Sequence, residues 1–144
     1  MTIDEYRKKL VETGLPLLGI KYEFGAEWTD YTKKPNGLDC SETIEGIYRI
    51  SGLEMPDGAQ AQFNFCLATD KPKPGDLAFF GKGKDIAQVY HVGMLYDAGM
   101  ILEARAFDGR DWTGKVAFRG RDAWEAYKNF LGYRCHPKLA ERVA

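Results

Sequence analysis

The chain has 144 residues, the length of one ordinary domain; 44% of them are hydrophobic and 28% are charged. This composition is typical of a globular protein that buries a core, and it excludes an intrinsically disordered chain. The formal net charge of −1 argues against a general nucleic-acid binder.

Helical patterns occupy the first half of the chain. They predict one helix at residues 3–19 and a second helix that begins at Ser41 and is ended by Gly52. Residues 55–68 are predicted to form a turn followed by a short helix. Thr2 caps the first helix, with Glu5 three residues later completing a capping box. A polar loop is predicted at residues 27–38, before the second helix.

Strand patterns dominate the second half, with β-like runs at residues 76–80, 90–96, 100–107, 115–121 and 130–136. The segment WEAYKNF, residues 124–130, is too short to assign. Helices followed by an antiparallel meander predict an α+β fold. We expect one domain over residues 1–144, ending in a charged tail at residues 136–144.

The N-terminal residues carry mixed charges and no apolar run that leads to a cleavage site, so no signal peptide is expected. No segment has the length that a membrane span needs. We therefore expect synthesis in the cytoplasm, without membrane insertion.

Cys40 is the candidate nucleophile among three cysteines that form no CxxC pair, the others being Cys66 and Cys135. It follows a loop and opens a predicted helix, whose N-terminus favours a thiolate and offers backbone N–H groups to an oxyanion. The alternative, a buried and inert cysteine, stays open on position alone.

His91 and Glu103 are the candidate partners of Cys40, and they stand on successive predicted strands. An antiparallel pair would let the carboxylate accept a proton from the imidazole ring and orient it, as the third member of a triad does. The alternatives are a satisfied histidine and a solvated strand glutamate. His136, where the chain leaves the domain, is interpreted as structural.

A structural zinc needs three or four ligands at workable spacing, whereas the cysteines and histidines of this chain are scattered singly. No nucleotide-binding or HExxH motif is present. We expect no metal and no cofactor.

Five segments, in this order, resemble motifs of the NlpC-type cell-wall peptidases of the papain-like superfamily: GIKYEFGA, LDCSETI, MPDGAQAQ, KPGDLAFF and HVGMLYDAGMILEA. The resemblance runs from about Gly19 to Arg134. It implies a papain-like α+β fold in which a helix that carries the cysteine packs on an antiparallel sheet.

The resemblance also implies roles for individual residues. Cys40 would be the nucleophile, and His91 the general base and then the general acid to the leaving amine. Glu103 would fill the third polar position, where many members have histidine.

Three further residues match motif positions around the cysteine. The Tyr22 hydroxyl would assist the oxyanion, with the backbone N–H of Cys40 as the second donor. Asp39 and Ser41 would help to bind the amine end of the substrate.

The chain departs from the family motifs at four positions: Ala26 and Glu42 each replace a glycine, and Asp57 and Ala59 replace an arginine and a serine. None of these changes removes a catalytic atom. Glu42 adds bulk and charge beside the cysteine, and we expect it to reshape the substrate groove.

The function implied is a peptidoglycan hydrolase, a cysteine endopeptidase that cleaves stem peptides at the γ-D-glutamyl-to-diamino-acid bond through a thioester. A thiol amidase or acyltransferase on the same fold, and a non-catalytic phage tail or wall-binding domain, are the alternatives. The chain resembles phage lysins or tail-associated hydrolases, for which a holin, a tail or a secretion apparatus would provide delivery.

Overall fold

The computed structural model describes residues 1–83, 87–106 and 114–140. Its α-helices are α1 (Ile3–Gly14), α2 (Cys40–Ile50), α3 (Ala59–Phe65) and α4 (Arg121–Ala126). Two short 3-10 helices follow α1 and the last strand, at Leu15–Leu17 and Pro137–Leu139. Within these described ranges, no helix has the length and apolar character to cross a bilayer.

In the part of the chain that the structure describes, six antiparallel strands form one sheet. They are β1 (Leu67–Thr69), β2 (Leu77–Lys82), β3 (Gln88–Leu95), β4 (Met100–Ala104), β5 (Val116–Gly120) and β6 (Phe130–Cys135). Their order in the sheet is β1-β6-β2-β3-β4-β5. Strands β2 to β5 are the predicted meander, and β6 adds to the free edge of β2. The predicted α+β fold is therefore confirmed.

The first helix is shorter than the predicted range of residues 3–19. The capping box at Thr2 and Glu5 is present, but α1 ends at Gly14 and the chain continues as the 3-10 turn. Pro16 explains the difference, since proline has no N–H to donate and its ring clashes with the preceding helical turn.

Two short elements escaped prediction. The helix predicted within residues 55–68 ends as α3 at Phe65, and Leu67–Thr69 instead form β1, which pairs with β6. Three residues are too few to show the alternation by which a strand is recognised. Helix α4 begins at Arg121, the last residue of the β-like run predicted at 115–121, and otherwise covers residues that the sequence left without an assignment. The last residue of the predicted run at 100–107 lies outside the described residues, as do 141–144 of the predicted tail.

The two faces of the sheet bury separate apolar clusters, as the alternation along β2 shows. Leu77 and Phe79 belong to the larger cluster, which includes residues of α1 and α2. Ala78 and Phe80 belong to a smaller cluster around Trp124 of α4. Cys40 packs against the larger cluster. The His91 ring stacks on Phe80 and Trp124, so the site lies where the two clusters meet.

Candidate active site

Cys40 is the first residue of α2, and Asp39 makes that helix start at this point. Asp39 has an extended backbone, and its Oδ1 accepts the backbone N–H of Glu42 at 2.8 Å. The same oxygen accepts the Ser41 hydroxyl at 3.3 Å. A capped N-terminus fixes the direction of the first N–H groups and places the Cys40 sulfur in their positive field.

His91 lies on β3, opposite Phe80 of β2 and next to an irregularity in the β2–β3 register. Its ring lies between 5 and 6 Å from the rings of Phe80 and Trp124, nearly parallel to both. These contacts leave only 15% of the side chain exposed. The imidazole therefore has one packed orientation.

Cys40 and His91 line a single cavity of about 410 Å³, together with Tyr22. The imidazole Nε2 lies 2.9 Å from Glu103 Oε1, so Nδ1 is the nitrogen that remains for the Cys40 sulfur. The cavity walls are aromatic and cationic, with Phe80, Tyr90, Tyr127, Arg105 and Arg119.

The electrostatics of the site favour a charged imidazole. Burial lowers the pKa of His91, but hydrogen bonds to Cys40 and Glu103 and the negative charges of both groups outweigh burial and raise that pKa to about 9. At neutral pH the ring beside Cys40 is therefore an imidazolium.

Glu103, on β4, is completely buried rather than solvated. Besides His91, its carboxylate accepts hydrogen bonds from Arg119 Nε at 2.6 Å, from Arg119 Nη2, and from Trp124 Nε1 at 2.9 Å. Burial raises the pKa of Glu103, but the hydrogen bonds from Arg119 and His91 outweigh it and hold that pKa at about 2. A carboxylate, and not a carboxylic acid, thus faces the imidazole.

Tyr22 reaches the cavity from the segment before the polar loop. Its backbone N–H bonds to the Gly114 carbonyl at 2.7 Å, and it forms a parallel bridge with Leu38, next to Asp39. Burial, and then the charges of Cys40 and Asp39, raise the pKa of Tyr22 to about 12. Its hydroxyl keeps its proton and can act as a hydrogen-bond donor.

Two of the four departures, Glu42 and Asp57, meet in space with Glu45, with carboxylate oxygens within 4.8 Å of one another. Glu42 is buried, and its Oε1 accepts the backbone N–H of Trp28 at 2.6 Å. The Glu42 carboxylate thus attaches the polar loop to the flank of α2.

The other titratable cysteines and histidine lie away from this cavity. Cys66 and Cys135 are buried and free, and burial raises the pKa of Cys66 to about 12. The His136 Nε2 lies 2.7 Å from the Glu54 carbonyl and the ring stacks on Tyr48, while its Nδ1 accepts a backbone N–H from Lys138. His136 is a structural residue, as interpreted from the sequence.

Sequence reasoning missed Arg119 and Trp124, which hold Glu103. The pairing of β4 with β5 sets Arg119 opposite Ile101, two residues from Glu103 on the same face of the sheet. That alternation, in two runs already predicted as strands, is a signal that could have found Arg119. Trp124 lies on α4, which the sequence left unassigned, and had no such signal.

The chain is similar in sequence to known proteins of one family. The family model described as NlpC/P60 family matches residues 19–115. The chain is 32% identical over 90 residues to "Probable endopeptidase p60" of Listeria welshimeri, covering 61% of this chain and 16% of that protein. The p60 protein of Listeria seeligeri is 31% identical over a similar stretch, so the match spans about a sixth of these relatives.

Solved structures show the same fold at low sequence identity. An NlpC/P60 family protein from Bacillus cereus has a TM-score of 0.73 at 24% identity, covering 90% of this chain and 40% of that one. The peptidoglycan hydrolase RipB from Mycobacterium tuberculosis has a TM-score of 0.69 at 18% identity, covering 97% and 67%.

Proposed function

Because this chain belongs to the NlpC/P60 family, we propose that residues 1–144 form one catalytic domain, a cysteine peptidase that hydrolyses the stem peptides of peptidoglycan. The relatives named as endopeptidase and peptidoglycan hydrolase support this substrate class. The observation that carries the proposal is the arrangement of Cys40 and His91 in one cavity, with the ring nitrogen Nε2 bound to a buried carboxylate.

The first half of the reaction forms a thioester. The Cys40 thiolate attacks the carbonyl carbon, and the resulting oxyanion accepts hydrogen bonds from the Cys40 backbone N–H and from the Tyr22 hydroxyl. When the C–N bond breaks, the leaving amine takes the proton of the His91 imidazolium.

The second half releases the enzyme. The now neutral His91 takes a proton from a water molecule, which attacks the thioester carbon; the C–S bond breaks and the Cys40 thiolate returns. Glu103 stabilises the imidazolium in both halves and keeps the ring in one orientation.

We further propose the γ-D-glutamyl-to-diamino-acid bond as the bond that is cut, with Asp39 and Ser41 at the amine end of the substrate. The carboxylate of Asp39 stands beside the cysteine and supplies the negative charge that a free amine requires.

This function can be tested by incubating the protein with purified muropeptides of defined composition and identifying the products by mass spectrometry. The proposal expects cleavage inside the stem peptide, with the new amine on the diamino acid. Release of the intact stem peptide from the sugar would show an amidase instead, and absence of any product would favour the non-catalytic alternative.

Delivery to the wall by a phage holin, a phage tail or a secretion apparatus stays a prediction from the sequence. Neighbouring genes test it, because a holin gene, tail genes or an immunity gene would each indicate a different route.

A further inference from the structure

We propose that Arg119 is a positioning residue of this site, which acts through Glu103 to keep the shared proton of the His91–Glu103 pair on the imidazole ring. The consequence for hydrolysis rests on the proposed function, whereas the position of the proton does not.

The surroundings of Glu103 favour an ionised carboxylate. Oε1 accepts hydrogen bonds from His91 Nε2 and Arg119 Nη2. Oε2 accepts hydrogen bonds from Arg119 Nε and Trp124 Nε1. Four donors thus fill the roughly four lone-pair sites of the carboxylate. Because the N–H groups of Arg119 and Trp124 cannot accept a hydrogen bond, a proton on Glu103 could point only at His91 Nε2.

The guanidinium of Arg119 opposes neutralisation of the His91–Glu103 pair. Glu103 is fully buried, and burial disfavours a charged carboxylate. Moving one proton from His91 Nε2 to Glu103 Oε1 would turn a buried ion pair into a neutral pair. Arg119 opposes this transfer because its charge stays in the site and is compensated only while Glu103 is ionised.

Two aromatic rings and two hydrogen bonds hold the Arg119 guanidinium in place. Its central carbon lies 5.5 Å from the Phe80 ring centroid and 5.4 Å from that of Trp124. Two of its nitrogens bond to Glu103 as a fork. The same two rings flank His91, so one aromatic frame aligns the cation, the carboxylate and the imidazole.

Imidazole nitrogen NMR tests the proton position directly, because the chain has only two histidines, His91 and His136. Burial lowers the pKa of His136, so at about pH 7.5 the native protein should show one charged ring and one neutral ring. Arg119→Gln should leave both rings neutral, whereas Arg119→Lys, which keeps the positive charge, should restore the charged ring.

Arg121→Gln is the matched control. Arg121 stands two residues away and also pairs with a carboxylate, Nε to Glu125 Oε1 at 2.7 Å, but on the surface and without contact to Glu103. This control should retain one charged ring and the native rate. A charged His91 ring in folded Arg119→Gln would overturn the proposal, even if the native protein cut no peptidoglycan.

Kinetics separate action through Glu103 from an independent effect. In the native background, Arg119→Gln should lower kcat/KM about 100-fold, within the range of general acid–base catalysis. In a Glu103→Gln background, the same change should cost little, since both charges of the Arg119–Glu103 pair are then gone. A full additional loss there would contradict the proposal, and this comparison remains decisive if Arg119→Gln alone fails to fold.

Discussion

Cys40 differs from Cys66 and Cys135 in its exposure and in its surroundings. It is half-buried at the start of α2 and lines a cavity with His91, whereas the other two thiols are buried. Burial raises the pKa of both buried cysteines. Because the thiolate is the reactive form of cysteine, these differences predict different reactivities within one folded chain.

Iodoacetamide should therefore alkylate Cys40 in the native protein and reach Cys66 and Cys135 only after unfolding. Peptide mapping by mass spectrometry locates the label. Cys40→Ala is the control and should leave the native protein unlabelled. Earlier labelling of Cys66 or Cys135 than of Cys40 would contradict the account of this site.

At the scale of elements, helix α2 carries the candidate nucleophile and also contacts the polar loop at residues 27–38. The Trp28 ring lies against Gly46 of the helix, and its indole N–H bonds to two loop carbonyls at 3.1 Å each. The Trp28 backbone N–H bonds to Glu42. One face of α2 thus anchors the loop that follows Tyr22, close to the cavity.

A methyl group at Gly46 would overlap the Trp28 ring, so Gly46→Ala should displace the loop. We expect a loss of about 1–3 kcal/mol in the free energy of unfolding, the usual cost of overpacking. Gly120→Ala is the matched control, since a Cβ there meets nothing within 4 Å and the backbone φ is −58°. Equal stability of the two variants, measured by urea denaturation, would show that Trp28 does not pack on Gly46.

The carboxyl groups of Glu42 and Glu45 make a second prediction about α2. Burial and the neighbouring Glu42 raise the pKa of Glu45 to about 7 in the folded protein, and Arg49 pairs with it at 2.9 Å. Asp57, Glu27 and Tyr31 line the same pocket. A raised carboxyl pKa means that folding takes up a proton, so this contribution to stability is present at acid pH and is lost as pH rises towards 7.

The free energy of unfolding of Glu45→Gln should therefore change less than that of the native protein between about pH 5 and about pH 8. Relative to the native protein, the variant should gain the most stability at the higher pH. Urea denaturation at both values measures this. Glu12→Gln, an exposed helix carboxylate near Lys8, is the control and should follow the native protein. A gain for Glu45→Gln confined to acid pH would have the wrong sign and would refute the account.

At the scale of the molecule, the sequence predicts the sheet better than it predicts the site. Strands β2 to β6 each contain a short run of apolar residues, and such local patterns can be recognised without knowledge of the strand pairing. The position of Glu103 on a strand beside that of His91 is predictable in the same way.

The surroundings of Glu103 depend on pairing that no local pattern contains. Arg119 is 16 residues away in the chain and Trp124 is 21 residues away, and both reach the carboxylate only once β5 and α4 have docked. The partners of Glu42 are equally remote, since Trp28 comes from a loop and Asp57 from the segment after α2. Single residues and their spacing therefore predict the candidate pair of Cys40 and His91, whereas the contacts that surround this pair follow from the tertiary fold.

The central claim is that Cys40 is the nucleophile of a peptidoglycan hydrolase. Its most direct test is the hydrolysis of purified peptidoglycan by the native protein, Cys40→Ala and Cys66→Ala, measured as the release of free amines. Cys40→Ala should have no activity and a nearly native thermal midpoint, because the side chain is only half-buried. Cys66→Ala should keep its activity but melt earlier, because it leaves a cavity in the core. Hydrolysis that survives in Cys40→Ala would contradict the assignment of Cys40 as the nucleophile.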